Sequence, residues 1–242
     1  LRTCNKDLTS RNGFQWADVG GVTTAPDWVA NNKCGNGLHG WLYGGGDHAC
    51  SSYLDAESVW MVLEVRLSDV IMFGGKCKFP QAKTVFTGDR KSAAEYLIDH
   101  EPRSASIGII GRIAEVGDRQ CLIGGALSVL TGGDGSTLTG GYDSTLTGGD
   151  GSTLTGGNYS TLTGGYGSTL TGGDGSTLTG GDCSILTGGN YSTLTGGYGS
   201  ELRIRHYDGK RMRTVIAYVG ENGIKANTAY VLKDGVFVEK GE

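Results

Sequence analysis

The sequence predicts a mainly β protein: a β-solenoid of 16-residue coils, two octads to the coil, preceded by a small α/β or α+β amino-terminal domain and closed by a basic carboxy-terminal cap. Three observations predict it. A phrase of Ser-Thr-Leu-Thr-Gly-Gly and two variable residues recurs in strict register, with leucine at 130, 138, 146, 154, 162, 170, 178, 186 and 194. The 242 residues include 45 glycines and only three prolines, a bias that a regular architecture has to explain. All four tryptophans, Trp16, Trp28, Trp41 and Trp60, precede the repeat, so ordinary core-forming composition is confined to the first part of the chain.

These features divide the chain into a globular domain over 1–105, a transition over 106–129, the repeat proper over 130–201 and a basic coil with cap over 202–242. Within the first segment SVWMVLEVRLSDVIMF, 58–73, is rich in β-branched and aromatic residues and reads as a buried strand. DRKSAAEYLI, 89–98, reads as a short capped helix. In the transition the glycines thicken, and LIGGALSV, 122–129, already falls in the octad frame.

A fixed short period marks a solenoid. Eight residues make too tight a circuit to enclose side chains. Sixteen allow two short strands and two Gly-Gly turns, so the nine octads give between four and five coils. Side chains alternate along a strand, so in Ser136-Thr137-Leu138-Thr139 the serine and leucine point one way and the threonines the other. Leucine is the partner that goes inside. The threonines then stand outward in pairs, about 6.7 Å apart along a strand and about 4.7 Å from coil to coil.

Alternate octads fall on opposite faces. One carries Thr145/Thr147, Thr161/Thr163, Thr177/Thr179 and Thr193/Thr195, four unbroken rungs. The other carries Thr137/Thr139, Thr153/Thr155 and Thr169/Thr171 before Ile185 and Glu201 interrupt it. Threonine favours strand surfaces generally, but seven complete pairs in register make a grid that propensity alone does not require. These fourteen threonines are the candidate binding surface.

After Ser200 the pattern changes to ELRIRHYDGKRMR, and Arg203, Arg205, His206, Lys210, Arg211 and Arg213 replace threonines and turn residues. Set against the turn acids Asp134, Asp143, Asp150, Asp174 and Asp182, they make the molecule electrostatically polar from end to end. Arg203, Arg205, Lys210, Arg211 and Arg213 are therefore candidate assembly residues for head-to-tail contact. The competing reading is a solvated cap whose charges only block edge pairing. GENGIKANTAYVLKDGVFVEKGE then supplies two short strands around Lys233-Asp234-Gly235, expected to form a lid.

Other chemistries find little support. The net charge of −4 implies neither nucleic-acid binding nor an anionic-membrane patch, and no run of 18 apolar residues exists to span a bilayer as a helix. The chain opens at Leu1 with no signal sequence behind it, which leaves a trimmed start open. Cys4, Cys34, Cys50, Cys77, Cys121 and Cys183 show no C-x-x-C spacing and read as structural or free thiols, so no metal and no cofactor is expected. GGDGSTL resembles a calcium-binding nonapeptide, but the period is eight and Thr137 and its equivalents stand where a ligand aspartate is needed. His39 and His48 lie near Asp47, Asp55 and Glu57 without forming a nucleophile, base and orienter, so no enzyme and no catalytic residue is expected.

The octads resemble those of bacterial ice nucleation proteins. LRTC at the start, NGLHGWLYGGG at 36–46, KFPQAKTVFTGDR at 78–90 and YDGKRMRTVIAYVGENGIKANTAY at 207–230 resemble that family's amino-terminal domain and carboxy-terminal cap. The resemblance implies a β-solenoid whose threonine rows order water into an ice-like layer, self-assembly into larger templates, and display on the outer membrane of a Gram-negative cell. The array is short against the dozens of coils usual in the family, and the expected long linker is nearly absent. The family's tyrosine ladder is broken, since the column at 16-residue steps reads Tyr142, Asn158, Asp174, Asn190. The other function compatible with the same flat face is a surface or structural module that contacts carbohydrate or protein.

Overall fold

A computed structural model describes residues 1–241; Glu242, the last residue of the expected cap, lies outside the described residues. The chain forms two compact units, the first ending at Arg112 and the second beginning at Ile113.

The first unit is built on antiparallel sheets. A four-stranded sheet runs in the order Arg2–Cys4, Val59–Glu64, Gln81–Gly88, Val22–Thr24, and a three-stranded sheet in the order Leu38–Gly40, Lys76–Phe79, Ile71–Phe73. One α-helix, Arg90–His100, joins them, so this unit is α+β. The helix starts where Asp89 Oδ1 accepts the Ser92 backbone N–H at 2.8 Å, and it buries Ala93, Ala94 and Leu97. The apolar run at 58–73 is not one strand. It reverses through a 3-10 turn at Leu67–Asp69 and resumes as Ile71–Phe73. Only Val59–Glu64 is central, and period-two alternation explains its composition. Trp60 and Val62 enter one core with Trp41, Leu97 and Ile110, while Met61 enters another with Cys4, Trp16 and Phe79.

The second unit is a parallel β-solenoid of about six coils. Strand residues pair with residues 16 positions on, as in Thr145↔Thr161, Leu146↔Leu162 and Thr147↔Thr163. The ladder begins earlier than the octads, since Ile113–Val116 pairs with Val129–Gly132 and Cys121–Ile123 with Thr137–Thr139. The coil count therefore exceeds the four to five that nine octads provide. Leu130 through Leu202 are completely buried at every eighth residue, and each octad serine is buried beside them.

The Gly-Gly pairs are demanded by space. A Cβ on Gly148 would lie 2.6 Å from Ser152 Cβ in the same coil, and one on Gly157 would lie 2.7 Å from the Gly141 carbonyl carbon of the coil before. The left-handed backbone falls instead at the second variable residue of the octad, where Gly151 has φ +65° and Tyr159 φ +61°. At the C-terminal end each sheet is closed by an antiparallel strand. Met212–Tyr218 pairs with Glu201–Tyr207, and Ala229–Lys233 pairs with Thr193–Gly196. A hairpin at Lys233–Val236 adds Val236–Glu239, while Tyr230, Ile224 and Ala226 pack on the end of the leucine column.

Candidate functional site

The two parallel sheets carry the threonines on the faces expected from alternation. Thr145, Thr147, Thr161, Thr163, Thr177 and Thr179 are exposed on one sheet, a grid three coils deep. On the other, Thr137, Thr153, Thr155, Thr169 and Thr171 are exposed and Thr139 is half-buried. The fourth rung of the first sheet is covered. Thr193 is only 7% exposed and accepts a hydrogen bond from Lys240 Nζ at 3.2 Å, and Thr195 is half-buried opposite Ala229. The terminal hairpin thus shuts a rung that the repeat alone leaves open. The bordering rungs on the other side are Val129/Thr131 and Cys121/Ile123.

Stiffness comes from hydrogen bonds that the repeat hides in plain letters. Ser160 Oγ donates to Gly141 O at 3.1 Å and accepts the Ser144 backbone N–H at 3.3 Å, so one serine ties two coils. The donation recurs from Ser144 to Gly125 and onward to Ser200 and Gly181. At the first variable residue of the octad, Asp134 Oδ1 accepts the Asp150 N–H at 2.9 Å and Asp150 Oδ1 accepts the Tyr166 N–H at 2.8 Å. Asp174 and Asp182 do the same for Asn190 and Tyr198. These acids, expected as free turn charge, are coil-to-coil acceptors; the signal for that role was the recurrence of Asp or Asn at one octad position. Asp143 occupies the left-handed position instead.

The tyrosines form no column. Tyr142 meets Tyr159 edge-on at 5.4 Å between ring centres, across two different turn positions, and Tyr191 is 90% exposed.

Of the five candidate assembly residues, two are engaged within the chain. Arg203, which continues the outward column after Thr187, grips Glu201 with two hydrogen bonds of 2.8 and 2.9 Å. Arg213 Nε reaches Asp208 Oδ2 at 2.6 Å. Arg203 lowers the Glu201 carboxyl below its usual range, and Arg213, then the backbone N–H groups of Arg211 and Lys210, lower Asp208. Arg205, Lys210 and Arg211 remain exposed, with no ion pair among the described residues.

His39 and His48 of the first unit sit in different environments. His48 Nδ1 lies 3.7 Å from Asp47 Oδ1, whereas His39 sits against Phe73 in another environment. All six cysteines are free thiols, and no metal-ligating cluster occurs among the described residues.

Residues 1–99 match the family described as a domain of unknown function (DUF7666). An ice nucleation protein of Pseudomonas syringae is 47% identical over 108 residues, 44% of this chain. The chain is similar to bacterial ice nucleation proteins. Ice nucleation proteins of Pseudomonas fluorescens, 37% identical over 113 residues, and of Xanthomonas campestris pv. translucens, 44% identical over 105 residues, match 44% and 42% of the chain. The matched segment covers 9% of each Pseudomonas relative and 6% of the Xanthomonas one, so the chain corresponds to a small part of those proteins. No solved structure matches.

Proposed function

We infer that this chain binds and nucleates ice by ordering water on its outward threonine rows, and that the activity grows when copies align. The observation that carries this is the stacked, exposed Thr145–Thr179 grid, whose backbone is fixed by the buried leucines and the serine ladder. A hydroxyl and a methyl repeat about every 4.8 Å along the stack and about 6.7 Å along each strand. Such a surface holds water in a fixed pattern because it does not rearrange to meet it.

The grid is small. Three open rungs on one sheet reach about 10 Å from first to last at that strand spacing. One molecule should adsorb to ice already present and nucleate only at deep supercooling, and aligned copies should act at warmer temperature. The test replaces Thr145, Thr147, Thr161, Thr163, Thr177 and Thr179 with lysine. Droplet freezing and ice-crystal shaping are then measured across a dilution series. The parent should freeze droplets barely above background when dilute and more warmly when concentrated, and the variant should do neither. If a folded variant matches the parent in both assays, water ordering is not the activity, and a carbohydrate array then tests the surface-binding alternative.

Alignment of copies is assigned to Arg205, Lys210 and Arg211, with Arg203 and Arg213 contributing through the ribbon they hold. Neutralising all five should leave the coils folded and reduce self-association, most at low salt where screening is weakest. Unchanged sedimentation of the variant at every salt concentration would remove this role. Display at the outer membrane surface of a Gram-negative cell is proposed on the similarity to ice nucleation proteins; among the described residues no helix is long and apolar enough to cross a membrane.

A further inference from the structure

The first unit contains a cavity of about 460 Å³ whose lining suits a ligand that the water-ordering surface does not explain. Its charged side chains are Arg2, Arg11 and Lys76, and among the described residues no Asp or Glu lines it. Ser51 and Tyr53 add hydroxyls, and His39 adds an imidazole. None of the three cations has a carboxylate partner among the described residues. Arg2 donates through Nη1 to His39 O at 2.8 Å and lies over the Trp16 ring at 4.1 Å. Lys76 Nζ donates to the Cys34 sulfur at 3.4 Å and lies over the face of Phe73 at 5.5 Å.

Two polar atoms in this wall are cut off from solvent and unsatisfied. Arg2 Nε and His39 Nε2 have no hydrogen-bond partner. A buried polar atom left without a partner is unfavourable, most of all on a charged group, so an anion that shifts the wall enough to reach these two atoms is rewarded. Burial, then Lys76, Arg2 and Lys78, keep the His39 ring neutral by lowering its pKa to about 4, so it offers a hydrogen bond rather than charge. A neighbouring cavity shares Arg2, Arg11 and His39 but also contains Asp27, which makes it the less suitable side for an anion.

We propose that the Arg2–Arg11–Lys76 cavity binds a phosphomonoester, with the phosphoryl oxygens on the three cations and the organic part in the remaining volume beside Trp41 and Tyr53. Three unpaired cations match a dianion better than a single carboxylate, and a guanidinium pairs with phosphoryl oxygens in a geometry that fixes orientation. The volume is also larger than inorganic phosphate alone needs. The phosphomonoester has two possible sources, a soluble metabolite or a lipid headgroup, and the chemistry is the same for both.

The test uses the full chain and glycerol phosphate as probe, followed by calorimetric titration and by the NMR signal of the Arg2 Nε–H. Saturable one-to-one binding that moves that signal is expected. Arg11→Gln with Lys76→Gln should weaken it by tenfold or more while tryptophan fluorescence stays that of the parent. Absence of saturable binding to the parent, or equal affinity in the double variant, overturns the proposal. Vesicles of phosphatidylcholine with and without phosphatidic acid identify the source. Sedimentation with the phosphatidic acid vesicles that glycerol phosphate displaces supports a lipid ligand in this cavity. Binding of glycerol phosphate without vesicle binding supports a soluble one. Vesicle binding that glycerol phosphate does not displace and the double variant retains would place the attraction elsewhere and count against the cavity.

Discussion

Leu162 in the solenoid stands in register with Leu146 and Leu178, each sixteen residues away in the chain, and its environment is nearly that of every other leucine in the column. Trp60 in the first unit stacks on Trp41 with ring centres 6.3 Å apart and shares its core with Leu97 and Ile110, from a helix and a loop that resemble neither. The solenoid repeats one set of contacts, whereas the first unit assembles its core from contacts that each occur once. Repeat units with nearest-neighbour coupling can open locally, and a core of unlike parts fails as a whole.

Truncation tests that contrast at its strongest. Trp60→Ala should cost about 3–5 kcal/mol and lower the unfolding midpoint of the whole first unit. Leu162→Ala should cost about 2–5 kcal/mol and speed amide exchange mainly in the coils flanking it. Because all four tryptophans lie before residue 113, their fluorescence reports the first unit, while circular dichroism reports both. The comparison breaks if Leu162→Ala lowers the fluorescence midpoint as far as Trp60→Ala does.

A smaller change sharpens it. Ser160→Ala removes the hydroxyl that bridges Gly141 O and the Ser144 N–H, taking the partner of the buried Ser144 N–H while Gly141 O keeps the Gly157 N–H at 3.0 Å, a loss of about 1–3 kcal/mol. The neighbouring outward Thr161→Ala should stay within about 0.5 kcal/mol, as surface substitutions do. Urea midpoints read by circular dichroism separate the two. Equal losses would mean that the rigidity of the grid does not come from the serine ladder.

The same contrast decides what could be read from the letters. Strict leucine register and alternation determine the 16-residue coil, the buried leucines and the two threonine faces, because a one-residue slip would turn every side chain over. Register carries no information on what lies across a turn. The serine ladder and the Asp134-to-Asp150 acceptors join residues whose distance depends on coil stacking, so serine read only as a small filler and aspartate only as charge. The coil starting at Ile113 was hidden because Ala114 holds the leucine place and no Gly-Gly follows it. Thr193 looked open because the hairpin that covers it is remote in sequence. In the first unit the helix was legible from its Asp89 cap, but the reversal at Leu67–Asp69 was not, since an apolar run does not reveal where a non-repeating chain must turn.

The last expected effect is one of pH, and its window distinguishes the two units. His39 has its folded pKa lowered to about 4, by burial first and then by Lys76, Arg2 and Lys78, with Asp27 opposing. Against an unfolded value of about 6.5, the unfolded chain binds the proton first as pH falls, so stability is lost between those two values. The terminal ribbon responds later. Glu201 and Asp208 are lowered chiefly by their hydrogen bonds to Arg203 and Arg213, so their contribution is complete above the ordinary carboxylate range of about 4 and is lost as pH falls through the lower folded values. Both pairs are partly exposed, and screening keeps that contribution small. From pH 7 to 5, tryptophan-monitored stability of the first unit should therefore decline while amide protection in Glu201–Tyr207 and Met212–Tyr218 holds. Replacing His39 with Gln should lessen the decline over that window and leave the ribbon's loss near and below pH 4 unchanged. If fluorescence stability stays level from pH 7 to 5 in the parent, or if the ribbon loses protection first, the assignment of the earlier titration to His39 is wrong.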